Sequence, residues 1–177
     1  VGVFSVAFVS AFGGGTVRDV LLDRRPLFWI QNQEYVWLVI ALALTAPLWL
    51  KTLRHRLTEN AMEFADACGM GLFAISGASI ATAAGMPPLV AILMGAITAV
   101  FGGVSRDVLC NQIPKVYRDH RPYTLCAVVG CAVLLGMHAL GFATQVSMVA
   151  GICTATGSRL LAVAFGWKLP AWPSQKA

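Results

Sequence analysis

Apolar residues run along this chain in six long stretches separated by short polar connectors. The stretches cover residues 1–22, 34–50, 61–85, 88–109, 123–142 and 144–166. A helix that crosses a bilayer needs about 20 mainly apolar residues, within a range of about 17–25. The spacing therefore predicts six such helices. The connectors carry turn chemistry: Asp23-Arg24-Arg25-Pro26, residues 51–60, Gly85-Met86-Pro87-Pro88 and residues 111–122. No linker divides the chain, so residues 1–166 read as one transmembrane domain. A tail follows at 167–177, where Pro170, Trp172 and Pro173 favour a loose or interfacial course.

Composition sharpens this picture. Of 177 residues, 58% are hydrophobic and only 12% charged, against about 45–50% and about 25% in soluble domains. The mean hydropathy is +0.73. The chain is an all-α integral membrane protein. The formal charge of +5 sits in connectors and forms no stripe alternating with aromatics, so nucleic-acid binding is excluded. Cys68, Cys110, Cys126, Cys131 and Cys153 lack CxxC spacing and read as packing residues. Cys126 and Cys131, five apart, are expected on different faces of their helix. His55, His120 and His138 have no ligand spacing, and no nucleophile–base set stands outside the bilayer. No metal, no cofactor and no catalysis are expected.

Orientation follows from Lys and Arg on alternate sides. One side holds Arg24 and Arg25; the other holds Lys51, Arg54, Arg56, Lys115, Arg118, Arg121, Lys168 and Lys176. The richer side, with the C-terminus, is expected in the cytoplasm. Phe28, Trp29, Tyr35, Trp37, Trp49, Tyr123, Trp167 and Trp172 fall near span ends, where aromatic side chains anchor at interfaces.

Two segments nearly repeat. Ala11-Phe12-Gly13-Gly14-Gly15-Thr16-Val17-Arg18-Asp19-Val20-Leu21 matches Val100-Phe101-Gly102-Gly103-Val104-Ser105-Arg106-Asp107-Val108-Leu109. The likeness continues from Leu21 to Pro26 against Leu109 to Pro114. Arg18 and Arg106 lie 88 positions apart, and the intervening chain crosses three times, so the copies run in opposite directions. Arg18 then lies near the outer face and Arg106 near the inner one. Residues 1–60 are the remainder of the first repeat, 61–142 the second, and 144–166 a last helix. The span at 61–85 has no counterpart ahead of the first copy. A three-plus-three design calls for one more helix before Val1, and residues upstream are expected.

With these two elements and Gly71-Leu72-Phe73-Ala74-Ile75-Ser76-Gly77-Ala78 between them, the chain resembles the prokaryotic TRIC proteins, the trimeric intracellular cation channels, whose bacterial members also carry the label of glycine transporters. The resemblance covers Val1 to about Gly166. It implies seven helices in inverted repeats plus a last helix, a homotrimer in the bacterial cell membrane, and a pore for potassium and sodium inside each protomer. It also implies kinks at Gly13, Gly14 and Gly15 and at Gly102 and Gly103. The chain departs from the pattern in lacking the first helix and in reading Phe101-Gly102-Gly103 where three glycines are usual.

The residues admit plainer readings beside this one. The glycines either break their helices to line a path or let helices pack closely. Arg18, Asp19, Arg106 and Asp107 either lock spans together or set the electrostatics of a pore mouth. Because adjacent helical residues do not face each other, each charge is expected to pair with a different span. Glu63 suits a helix N-terminus, whereas Asp66 is either pore-facing or an arginine's partner. Ser10, Thr16, Ser76, Ser79, Thr82, Thr98 and Ser105 offer hydroxyls to a wet path or to the carbonyl four residues back. Pro47 is expected to kink its span, and Arg159 to snorkel or pair with a carboxylate. The reading that results is a passive monovalent cation channel. A carrier of a small zwitterion such as glycine is the alternative, and a non-conducting scaffold a third class.

Overall fold

The computed structural model describes residues 2–53, 59–118 and 122–167. Among them are eight helices and no strand: α1 (Gly2–Leu21), α2 (Phe28–Gln31), α3 (Gln33–Leu53), α4 (Glu59–Ala83), α5 (Pro88–Leu109), α6 (Lys115–Arg118), α7 (Tyr123–Ala139) and α8 (Thr144–Ala164). The six long helices match the six apolar stretches within a few residues. The two four-residue helices, α2 and α6, were not foreseen. The side chains of Lys51, Arg54, Arg56, Lys115, Arg118, Arg121, Lys168 and Lys176 lie outside the described residues. So do those of Pro47, Trp49, His55, His120, Pro170, Trp172 and Pro173.

Among the described residues, length and hydropathy together admit three membrane-crossing helices, Glu63–Ala83, Pro88–Leu109 and Thr144–Ala164. Tyr123–Ala139 is apolar but shorter, and α3 is apolar over its described side chains from Gln33 to Ala46 while its helix runs on to Leu53. α1 has the length, but Arg18, Asp19 and three glycines dilute its apolar character.

Helix α4 sits at the centre, packed against α5, α7 and α8, while α1 lies on α5 and α3 on the far side of α1. Their common core is Met70, Ala74, Ile75 and Ala78 of α4, Ala99 of α5, Cys126, Ala127, Cys131 and Leu134 of α7, and Ala155 of α8. Small residues dominate it, as expected where lipid tails remove most hydrophobic drive and close backbone approach holds helices together. A methyl on Gly130 would come within 2.6 Å of Ala155 Cβ, and one on Gly95 within 2.6 Å of the Ala74 carbonyl oxygen. Cys126 and Cys131 are both buried, because α7 is covered by α4 and α5 as well as by α8. Cys110 and Cys153 are exposed. The outer surface is apolar, with Leu42, Leu44, Leu89, Leu93, Val149 and Leu161 all exposed, a surface for lipid rather than water.

The repeat is visible in the backbone. Each copy is a long helix, a turn, a four-residue helix and another long helix: α1–α2–α3 and α5–α6–α7. Both first helices end in the same cap. Arg24 N–H donates to the Asp19 carbonyl at 2.8 Å and Gln112 N–H to the Asp107 carbonyl at 2.9 Å. Between them Asp23 (φ 49°) and Asn111 (φ 53°) take the left-handed conformation. Asp and Asn tolerate that conformation better than other residues with a Cβ, so the cap sequence itself is repeated chemistry.

Candidate functional site

Helices α1 and α5 cross at their glycines. A methyl on Gly14 would collide with the carbonyl oxygen of Thr98, and one on Gly102 would lie 2.7 Å from that of Ser10. Ser10 and Thr98 are equivalent in the repeat, as are Gly14 and Gly102, so the two contacts are mirror images. Rising numbers on α1 meet falling numbers on α5, which makes the crossing antiparallel. Both helices run as continuous α-helix through their glycines. Glycine weakens a helix by about 1 kcal/mol, but an unsatisfied backbone group in hydrocarbon costs more. The ladder therefore survives, and the missing side chains serve close approach.

The Arg-Asp pairs differ from expectation. Arg18 Nε and Nη2 both donate to Asp19 Oδ1, at 2.8 and 2.7 Å, and Arg106 Nη2 lies 2.9 Å from Asp107 Oδ1. Each arginine pairs with its own neighbour instead of another span. Its guanidinium, at the end of a long stem, folds round the last helical turn to reach a carboxylate that a shorter side chain could not. The two pairs sit in different surroundings. Arg18 and Asp19 are 3% and 0% exposed, whereas the Arg106 side chain is 32% exposed.

Around Arg18 the space is filled. Phe28 of α2 lies against Gly15, and Arg18 stacks over the Phe28 ring at 5.4 Å. The Phe28 N–H donates to Asp19 Oδ2 at 2.9 Å, and Trp29 Nε1–H to Thr16 Oγ1 at 3.1 Å. Phe8 and Phe12 complete an aromatic cluster with Phe28 and Trp29. Phe28 and Trp29 thus pack on α1 and are half-buried, while Tyr35, Trp37 and Trp167 remain exposed.

Around Arg106 the space is open. A cavity of about 170 Å³ is lined by Ser10 of α1, Asp66, Gly69, Met70 and Phe73 of α4, Ala99, Gly102, Gly103 and Arg106 of α5, and Tyr123 of α7. The Ser10 hydroxyl oxygen is buried there without a hydrogen-bond partner among the described residues. Tyr123 shares this cavity with Asp66 and Arg106, and Arg159 of α8 stacks over its ring at 5.0 Å. Arg159 is 8% exposed, so it is buried rather than snorkelling. Two further hollows open at the opposite ends of α4 and α7. One, of about 280 Å³, is lined by Ser79, Thr82, Leu134, His138 and Thr144 among others; the other, of about 400 Å³, by Leu22, Arg24, Ile80, Ala83 and Ala84.

Of the residues named from sequence, Asp66, Gly102, Gly103 and Arg106 meet at one cavity. Gly14, Gly15, Arg18 and Asp19 are buried away from it. Gly13 lies against Gly102 and Ser105 at 3.7 Å. Thr16, Thr82 and Thr98 donate to the carbonyls of Phe12, Ala78 and Met94, four residues back. Thr98 is 2% exposed. Ser76, Ser105 and Glu63 are half-buried. Sequence reading missed Tyr123 as a cavity wall. Its position two residues from the charged connector, at the start of an apolar span, suited an interfacial anchor equally well.

A family model described as Glycine transporter matches residues 1–51 and 63–139. The UPF0126 membrane protein of Vibrio cholerae is 33% identical over 177 residues, 99% of this chain and 72% of the relative. The UPF0126 inner membrane protein YadS of Escherichia coli is 33% identical over 171 residues, 96% of this chain and 81% of the relative. Among solved structures, the TRIC trimeric intracellular cation channel orthologue from Rhodobacter sphaeroides superposes with a TM-score of 0.80 at 30% identity, covering 94% of both chains. A TRIC cation channel solved for the structural basis of its conductance gives 0.85 at 30% identity, covering 96% of this chain and 82% of the other. These neighbours are membrane proteins and channels, not enzymes.

Proposed function

The chain belongs to the prokaryotic TRIC family, and from that premise we propose a passive channel for monovalent cations, potassium and sodium, with a path inside each protomer of a homotrimer in the bacterial inner membrane. Its C-terminus lies in the cytoplasm, and it uses no cofactor; the permeant ion is the cargo. The observation that carries this reading is the cavity beside Gly102 and Gly103, which reaches the α1–α5 crossing and holds a carboxylate, Asp66. Acidic groups on a path favour cations. Arg106, which would repel them, is neutralised by Asp107 at 2.9 Å. The crossing at Gly14 and Gly102 closes the path in this conformation, and conduction requires the two helices to part there. The protein in a planar bilayer under asymmetric potassium chloride should give unitary currents whose reversal potential follows the potassium gradient. Strictly coupled, non-conductive solute flux would defeat the channel.

One observation favours a second reading. The same small cavity holds both Asp66 and Arg106, groups suited to the ammonium and carboxylate of a zwitterion such as glycine. Saturable uptake of labelled glycine into vesicles, lost on Asp66→Asn, would establish the carrier in place of the channel.

A further inference from the structure

The two repeats have the same backbone but not the same occupancy. At Gly103 a methyl would meet, among the described residues, only the Arg106 guanidinium at 3.9 Å. At the equivalent Gly15 it would run into the Phe28 ring. Arg106 borders a cavity, while Arg18 is sealed beneath Phe28. In α6, the counterpart of α2, the position equivalent to Phe28 is the half-buried Val116, and Tyr117, equivalent to Trp29, is 69% exposed. A space left open in one half is filled by one ring in the other.

That ring is held by few bonds. Helix α2 has four residues, no buried side chain and no side-chain cap. Its attachments to α1 are the Phe28 N–H bond to Asp19, the Trp29 indole bond to Thr16, and aromatic contacts with Phe8 and Phe12. A six-residue connector, 22–27, precedes it, and the single residue Asn32, bonded back to the Phe28 carbonyl, joins it to α3. Such an element can leave as a unit without breaking the core at Ile75 and Cys131.

From this asymmetry we infer that α2 is the outer plug of the path: Phe28 occludes the half beside Gly15 and Arg18, Asp19 latches it, and its withdrawal opens that half to the outside. This inference rests on the proposed cation path. Because Asp19 serves both the Arg18 guanidinium and the Phe28 N–H, movement of α2 also frees one oxygen of a buried carboxylate to face an entering cation.

The test compares wild type with Phe28→Ala, which removes the ring, and Gly15→Ala, which keeps every aromatic but leaves no room for Phe28. Each is reconstituted for single-channel recording, with thermal unfolding as the check on folding. Both variants should raise the open fraction about tenfold, the effect of a modest shift in a two-state equilibrium, with the reversal potential unchanged. If wild type conducts and neither variant raises the open fraction, the plug is refuted while the cation path stands. If no form conducts, the path and the plug fall together. Should Phe28→Ala not fold, Gly15→Ala decides alone.

Discussion

Adding one methyl at the α1–α5 crossing tests whether backbone contact holds the two repeats together. In Gly102→Ala the new Cβ would lie 2.7 Å from the Ser10 carbonyl oxygen, where ordinary contact begins at 3.4 Å. The helices must part by about 0.7 Å (3.4 − 2.7), and the atom met is backbone, which cannot swing aside. Overpacking of this kind costs about 1–3 kcal/mol. Alanine's better helix propensity returns about 1 kcal/mol, so the net loss is about 1 kcal/mol. For a chain of this size that lowers the melting temperature by about 2–4 °C, readable by a thermal-shift assay in detergent. Gly14→Ala, whose methyl overlaps the Thr98 carbonyl more severely, should cost more. The double variant should cost less than the sum, because helices already parted for one methyl accommodate its mirror image. Gly157→Ala, with nothing within 4 Å of the new atom, should be as stable as wild type or more so. The reasoning is refuted if Gly102→Ala melts at or above wild type, or if the two glycine variants add fully.

Other outcomes follow from the charges. Arg18→Ala strands the fully buried Asp19 carboxylate and should destabilise the protein by about 3–5 kcal/mol, seen as a large fall in melting temperature. Arg106→Ala, at the open half, should cost clearly less; equal losses would contradict the asymmetry of the two pairs. Asp66→Asn should lower unitary potassium conductance with little change in melting temperature, since no ion pair among the described residues holds Asp66. Unchanged conductance would remove Asp66 from the path.

The long helices were legible because lipid demands an unbroken apolar run, and the chain supplies six between connectors that begin with Asp23 or end at Pro88. The repeat was legible in Arg-Asp following paired glycines. What those glycines do was not. The same letters specify a broken helix or a tight crossing, and the choice is made by the partner, here the carbonyls of Ser10 and Thr98, which sequence order does not place. The pairing of Arg18 with Asp19 escaped the rule that helical neighbours diverge. That rule describes Cβ directions, and an arginine's reach overrides them. Helix α2 was hidden because four residues carry no periodicity. Phe28 beside a connector looks the same whether it meets headgroups or a glycine face.

The crossing also explains why the path, rather than the packing, sets the chemistry of the two ends. Two repeat-equivalent helices meeting about a pseudo-two-fold present similar backbone to each side, so the difference in access comes from what the neighbouring elements bring. Here α2 brings Phe28 to one glycine face, and α4 with α7 bring Asp66 and Tyr123 to the other. The first fills space with an aromatic and buries its ion pair. The second leaves space and sets a carboxylate in it. On the proposed path, a cation at the open half comes to a cavity lined by both Asp66 and Arg106, the latter's charge already engaged by Asp107. To pass beyond, it must find the Ser10–Gly102 and Gly14–Thr98 contacts apart. The carbonyls of Ser10 and Thr98 now touch glycines across the crossing. On separation they would face the gap, and oxygens so placed can replace part of an ion's hydration shell. Close packing and conduction are then two positions of one joint, since only residues without side chains allow both.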